Sequence, residues 1–233
     1  MPDHHSDAVG RVVVTGGSSG LGAAVVDAVR AAGGLPAVID RVPLADNGAT
    51  PFAWADVSNR IDVDHAIAAL AAELDGFDAL VTAAGIGPSG SGGGDPVEWE
   101  RAIGTNLIGT ITTVRAALPY LDLARGRAII VTVTPGTPDT GCSAPYRASE
   151  WGIRQFSRDL TENMHGEHTV TTILAEETSA AASDPDPAGP ETDPLCDSPV
   201  DVEETTRAIM LALRQPLDAD IAELVVRPSR GVR

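Results

Sequence analysis

The sequence predicts an α/β fold, doubly wound around a mainly parallel sheet of seven strands with helices on both faces. Three observations predict it. Short apolar, β-branched runs alternate with helical patterns along most of the chain. A glycine cluster separates the first such run from the first helical stretch. Most of the runs are apolar at every position, as strands covered on both faces are. Strict alternation of the two kinds of element implies βαβ crossovers, and hence parallel neighbours.

The first predicted strand is 11–15 (RVVVT), which runs into GGSSGLG and then a helical stretch over 23–32. Further strands are predicted at 35–40 (LPAVID), 51–55 (PFAWA), 79–83 (ALVTA), 128–134 (AIIVTVT), 169–174 (TVTTIL) and 221–226 (IAELVV). Helices are predicted at 63–74, 96–121, 144–164 and 202–214. Residues 176–199, rich in Ala, Ser, Asp and Pro, break the rhythm and read as a long flexible loop. This loop follows a strand's carboxyl end, where ligands bind in such sheets, so it is assigned to the substrate. Residues 88–95 (PSGSGGGD) read as a second flexible insert.

At 233 residues and 43% apolar, the chain is long enough for one sizeable core, and a single domain over 1–233 is expected, with 1–10 a flexible polar start. The formal charge of −17 repels a phosphate backbone, so nucleic acid is excluded as a partner and an anionic substrate is disfavoured. All 16 basic residues are Arg; the chain contains no Lys. Cys142 and Cys196 lack any C-x-x-C spacing and fit a reducing compartment. No apolar run approaches a bilayer's thickness and residues 1–10 carry no apolar segment, so a soluble, cytoplasmic protein is expected, with no membrane partner. His165 and His168 have metal-compatible spacing but no carboxylate or Cys cluster beside them, and read as a solvated pair; no metal is expected.

Thr15, Gly16, Gly17, Ser18, Ser19, Gly20, Leu21 and Gly22 lie between a strand and a helix. Glycines there permit a tight turn and close backbone approach, and the helix N-terminus favours a pyrophosphate. Asp40 ends the second strand, 24 residues past Gly16, where a carboxylate can accept from adenosine ribose hydroxyls and repel a 2′-phosphate. That favours NAD, as NADH, over NADP. Arg41 beside it can greet a 2′-phosphate or stand as a solvated surface residue. Asp56 can cap a helix starting at 58–60 or face a ligand.

With T-G-x-x-x-G-x-G at Thr15 to Gly22, then Asp40, then Asp56-Val57 after the third strand, the chain resembles the short-chain dehydrogenase/reductase family along almost its whole length. The resemblance implies a Rossmann-type dinucleotide-binding fold. It implies that Gly16, Ser18, Ser19, Gly20 and Leu21 hold the cofactor, that Asp56 and Val57 contact the adenine, and that Ala84 and Gly85, in T-A-A-G, lie beside the adenosine. Both asparagines of the family's N-N-A-G are missing here.

The same resemblance assigns Asn106, in T-N-L-I-G, to an asparagine that distorts its helix and supports a proton-relay water. Tyr146 matches the tyrosine of Y-x-x-x-K, but the lysine position holds Glu150. A lysine there lowers the phenol's pKa and binds the nicotinamide ribose. Glu150 cannot do the first; as a carboxylate it would raise the phenol's pKa, though it can accept from ribose hydroxyls. With no Lys in the chain, and with Arg147 about 100° away around the helix, no shift of register restores the cation. The family serine falls by count on Val133, between Thr132 and Thr134; Thr134 is taken as its substitute, or as an ordinary strand-end Thr. Thr178, in A-E-E-T, takes the place of a Thr beside the nicotinamide.

These readings make the chain a divergent NAD(H)-dependent oxidoreductase acting on a carbonyl or secondary alcohol of a small molecule, with Tyr146 as acid/base and Thr134 and Asn106 assisting. The alternatives are a non-redox enzyme of the same fold (a dehydratase, isomerase or cyclase) using Tyr146 and Glu150 for proton transfer, or a catalytically silent NAD-binding protein. The resemblance also implies a homodimer or homotetramer through the helices at 96–121 and 144–164.

Overall fold

The computed structural model describes residues 9–46, 48–87, 95–133, 143–163, 168–175, 202–216 and 220–227. Thr134, Cys142, His165, Thr178, Cys196 and the loop over 176–199 lie outside these residues, as does all of 88–95 except Asp95.

Seven strands, β1 (Arg11–Thr15), β2 (Leu35–Asp40), β3 (Phe52–Trp54), β4 (Ala79–Thr82), β5 (Arg127–Val133), β6 (Thr169–Ala175) and β7 (Glu223–Val226), form one sheet in the order β3-β2-β1-β4-β5-β6-β7. Every pairing is parallel, so the expected mainly parallel sheet is entirely so among the described residues. Helices α1 (Gly20–Ala31) and α6 (Val202–Leu213) pack on each other over one face. Helices α2 (Arg60–Glu73), α4 (Gly109–Ala124) and α5 (Ala144–Asn163) cover the other.

The period of two along each strand divides the apolar side chains between two cores. Val13, Leu80, Ala128 and Ile130 join the core under α2, α4 and α5. Their neighbours Val12, Val14, Val81 and Ile129 join the core under α1 and α6. This two-sided burial is why the strands read as continuous apolar runs. At the sheet's amino edge, Asp78 accepts from the Arg11 backbone N–H (2.7 Å) and from its guanidinium (2.9 and 3.1 Å), which fixes β1 beside the start of β4.

Three expectations are corrected in detail. The first helix begins at Gly20, not 23, because Ser19 is its extended N-cap and the last glycines of the cluster belong to its first turn. The second begins at Arg60 with Asn59 as its cap: the Asn59 side chain accepts the Ile61 N–H (3.0 Å). The helix expected over 96–121 is three pieces: α3 (Pro96–Ala102), a π-helical segment (Ile103–Ile108) and α4.

Phe77 is fully buried in the α2/α4 core, its ring 5.4 Å from that of Tyr120. Phe77→Ala should destabilise the protein by about 3–5 kcal/mol, read as a lower urea midpoint at unchanged slope.

Candidate active site

The sheet order places a topological switch between β1 and β4: the chain builds outward from β1 to β2 and β3, then restarts at β4 on the other side. A crevice forms outside the carboxyl ends at such a point. Thr15 joins its two walls, its hydroxyl oxygen accepting from the N–H groups of Ala83 and Ala84 (3.2 Å each). The glycine cluster folds into this crevice under tight constraint. Gly16 has φ +68°, and a β-carbon there would lie 2.7 Å from Ala84 Cα. One on Gly22 would lie 2.1 Å from the Gly16 carbonyl oxygen, so the start of α1 rests directly on the loop. Ser19 makes no side-chain cap to α1, which leaves the helix's first amides without that partner at the loop.

Asp40 ties the loop to the end of β2. One carboxylate oxygen accepts from the Ser18 N–H (3.1 Å), the other from Arg41 N–H (2.6 Å) and Val42 N–H (3.2 Å). The Ser18 hydroxyl donates to the Val42 carbonyl. Asp40 is half-buried at the mouth of the crevice. Asp56 is not the helix cap: it accepts from the Ser58 N–H (2.9 Å) and hydroxyl (2.6 Å), one step before Asn59. Partial burial works to raise the Asp56 carboxyl, but the Ser58 hydrogen bonds and the charges of Arg41 and Arg101 outweigh it and hold it below the usual range. Val57 is buried, and a β-carbon on Gly109 would come within 2.8 Å of it, so its side chain packs the core.

Helix α5 buries the stripe Tyr146, Ser149, Glu150, Ile153, Ser157 and Leu160, spaced at three and four residues. This stripe carries Tyr146 and Glu150 inward on the same face. It lies against the π segment, where Gly152 leaves room for Leu107. The extra residue in that segment turns Asn106 inward. Asn106 Oδ1 accepts from the Ile86 N–H (2.8 Å), and its Nδ2 donates to the Ile86 carbonyl (3.0 Å) and to Glu150 Oε1 (3.2 Å). The expected local distortion of the helix at Asn106 is therefore present, with the side-chain amide engaged by protein partners.

Glu150 meets protein donors with both carboxyl oxygens. It is 4% exposed, and its second oxygen, Oε2, meets the Thr132 hydroxyl (2.7 Å) and the Val133 N–H (2.7 Å). Burial pushes the carboxyl up from its ordinary value, against the opposing pull of hydrogen bonds from Val133, Thr132 and Asn106. The inward stripe of α5 places the carboxyl beside the end of β5, with both oxygens meeting protein donors. Thr132, read from the sequence only as a neighbour of position 133, emerges as a member of the site. Its signal was alternation: in a doubly covered strand, a Thr among isoleucines and valines needs a partner on one face.

Because the folded pKa of Glu150 is raised, the protonated form is favoured in the native state. Its contribution is complete below the ordinary 4.5, where both states are protonated, and is lost as pH climbs through the folded value. The Tm difference between the wild type and Glu150→Met should therefore fall as pH rises above 4.5. A difference that grows with pH would show an ionised Glu150.

The residues fit a dinucleotide: the glycine cradle admits no side chain, the first amides of α1 lack a side-chain cap, and the Thr82 hydroxyl at the end of β4 is buried with no partner among the described residues. Comparisons with known proteins agree with this geometry. The short chain dehydrogenase family matches residues 10–180. The chain is 27% identical over 229 residues to an uncharacterized oxidoreductase of Staphylococcus saprophyticus, covering 93% of this chain and 96% of that protein. It is 28% identical over 194 residues to the L-fucose dehydrogenase of Mus musculus, covering 75% and 70%. Among solved structures, an alcohol dehydrogenase of Thermococcus sibiricus complexed with 5-hydroxy-NADP superposes with a TM-score of 0.78 at 20% identity, covering 95% of this chain and 100% of that one. The serine dehydrogenase of Escherichia coli does so at 0.75 and 24%, covering 94% and 97%. These two show the same fold. Matched over most of its length, the chain belongs to the short-chain dehydrogenase family.

Proposed function

We propose that this chain is an NAD(H)-dependent oxidoreductase acting on a carbonyl or secondary alcohol of a small molecule. The observation that carries the reading is the glycine cradle at the switch point, closed onto Asp40 at the end of β2, with Tyr146 held on the buried face of α5. A nicotinamide cofactor supplies or takes the hydride when bound.

The chain's residues do the rest. The loop backbone and the start of α1 favour the pyrophosphate by their amides. Asp40 supports NAD over NADP: three N–H groups hold its carboxylate at the end of β2, where it would accept from ribose hydroxyls and repel a 2′-phosphate. Arg41, the obvious counter-charge for such a phosphate, acts electrostatically on Asp56. Tyr146 gives a proton to the substrate oxygen in reduction and takes it back in oxidation. Thr134 and Thr178, by resemblance, orient the substrate carbonyl and the nicotinamide. Glu150 does not serve as a free base, since both its oxygens are engaged in the protein interior.

A homodimer or homotetramer is part of this proposal. Trp99 on α3, Ile108 at the end of the π segment and Trp151 on α5 are 41%, 43% and 54% exposed, on the helices the resemblance assigns to the interface.

Calorimetric titration should show NADH binding in the micromolar range and NADPH binding at least about tenfold weaker, with Asp40→Ala narrowing the gap. Tyr146→Phe should keep NADH binding and lower cofactor-dependent turnover on an alcohol and ketone panel by roughly 10²–10⁴-fold. Absence of binding by either cofactor would overturn the reading.

A further inference from the structure

The surroundings of Glu150 are more selective than burial alone requires. Two N–H donors, one for each carboxyl oxygen, converge on this side chain, and neither can turn away. The Val133 donor is backbone, 2.7 Å from Oε2. The Asn106 donor is set by Ile86, whose N–H faces Asn106 Oδ1 and whose carbonyl faces Nδ2. Flipping that amide would put donor against donor and acceptor against acceptor. Residue 150 must therefore present an acceptor in two directions.

We infer that position 150 is a carboxyl-specific socket, and that Glu150 is a positioning residue whose two oxygens hold α5, and Tyr146 one turn before it, against β5 and the π segment. The third partner completes the argument. Thr132 Oγ1 lies 2.7 Å from Oε2 and 3.2 Å from the backbone carbonyl of Glu150 itself. The Thr132 hydroxyl donates to Oε2, with the Glu150 carbonyl as its second acceptor, and the remaining lone pairs of Oε1 and Oε2 receive Asn106 and Val133. Every polar hydrogen in this set then has an acceptor.

No other side chain of similar size meets these terms. Glutamine has one acceptor oxygen; whichever way its amide sits, its NH₂ opposes either the Val133 or the Asn106 N–H. Lysine brings three donors into a space already lined by donors, and adds a buried charge with no carboxylate to meet it. The family's cation is thus replaced by a hydrogen-bonded carboxyl that joins these elements, and the surrounding donors oppose a lysine at this position. The inference rests on the oxidoreductase reading only for the importance of Tyr146; the socket itself is a property of the protein alone.

The test is a set of thermal melts on full-length protein without added cofactor, comparing the wild type, Glu150→Gln, Glu150→Lys, Asn106→Ala and the Asn106→Ala/Glu150→Gln double variant. Glu150→Gln should lower Tm by at least about 3 °C despite its identical shape. In the Asn106→Ala background, where the opposing N–H is gone, the same change should cost less than about half as much. Glu150→Lys should melt lower than Glu150→Gln or fail to fold. A Glu150→Gln variant as stable as the wild type, or one that loses equally in both backgrounds, would overturn the socket, because a packing role predicts those results. A Glu150→Lys variant more stable than the wild type would do the same. Since no arm contains NADH, failure here leaves the oxidoreductase reading standing, and failure to bind NADH leaves the socket standing.

Discussion

A buried carboxyl surrounded by fixed donors organises the side of this protein that carries Tyr146. Three elements remote in sequence meet at Glu150: the end of β5 through Thr132 and Val133, the π segment through Asn106, and α5 through the residue itself. Asn106 extends the contact to Ile86, beyond the end of β4. Remove the carboxyl and the donors of Asn106, Thr132 and Val133 each lose an acceptor, at a cost of about 1–3 kcal/mol for any group left unsatisfied. The position of Tyr146 on α5 is therefore coupled through the helix to strand ends on the same side of the sheet.

The glycine-loop side depends on a different constraint, the absence of side chains. Gly16, Gly17 and Gly22 allow the loop to lie against Ala84, Val38 and its own first residue, which no β-carbon would permit. Thr15 and Asp40 then fix the two edges of that loop by accepting backbone N–H groups. One half of the site is shaped by backbone approach and the other by a buried acid, and the sheet's switch point brings both to its carboxyl edge.

The fold was legible because its strands are buried on both faces. Runs such as VVV at 12–14 and AII at 128–130 can be little else when they alternate with helical patterns. The glycine loop was legible because its chemistry is local. The partners of Glu150 were not legible for a definite reason: its place beside Tyr146 on the inner stripe follows from helical spacing, but a glutamate is almost never fully buried unless paired, so the sequence argues for a solvated or ligand-facing role. Its partners are 17 to 44 residues away in sequence and include a backbone N–H, which leaves no side-chain signature. The π segment was hidden likewise. An extra residue inside a helical pattern changes the phase without changing composition, and only the inward turn of Asn106 reveals it.

The most direct measurement of the central claim is the carboxyl carbon resonance of Glu150, in protein labelled with [δ-¹³C]glutamate and assigned by comparison with Glu150→Gln. The account predicts that the buried carboxyl titrates above the ordinary 4.5 of a free glutamate, later than the surface glutamates. A resonance that titrates together with the surface glutamates, or below them, would contradict it.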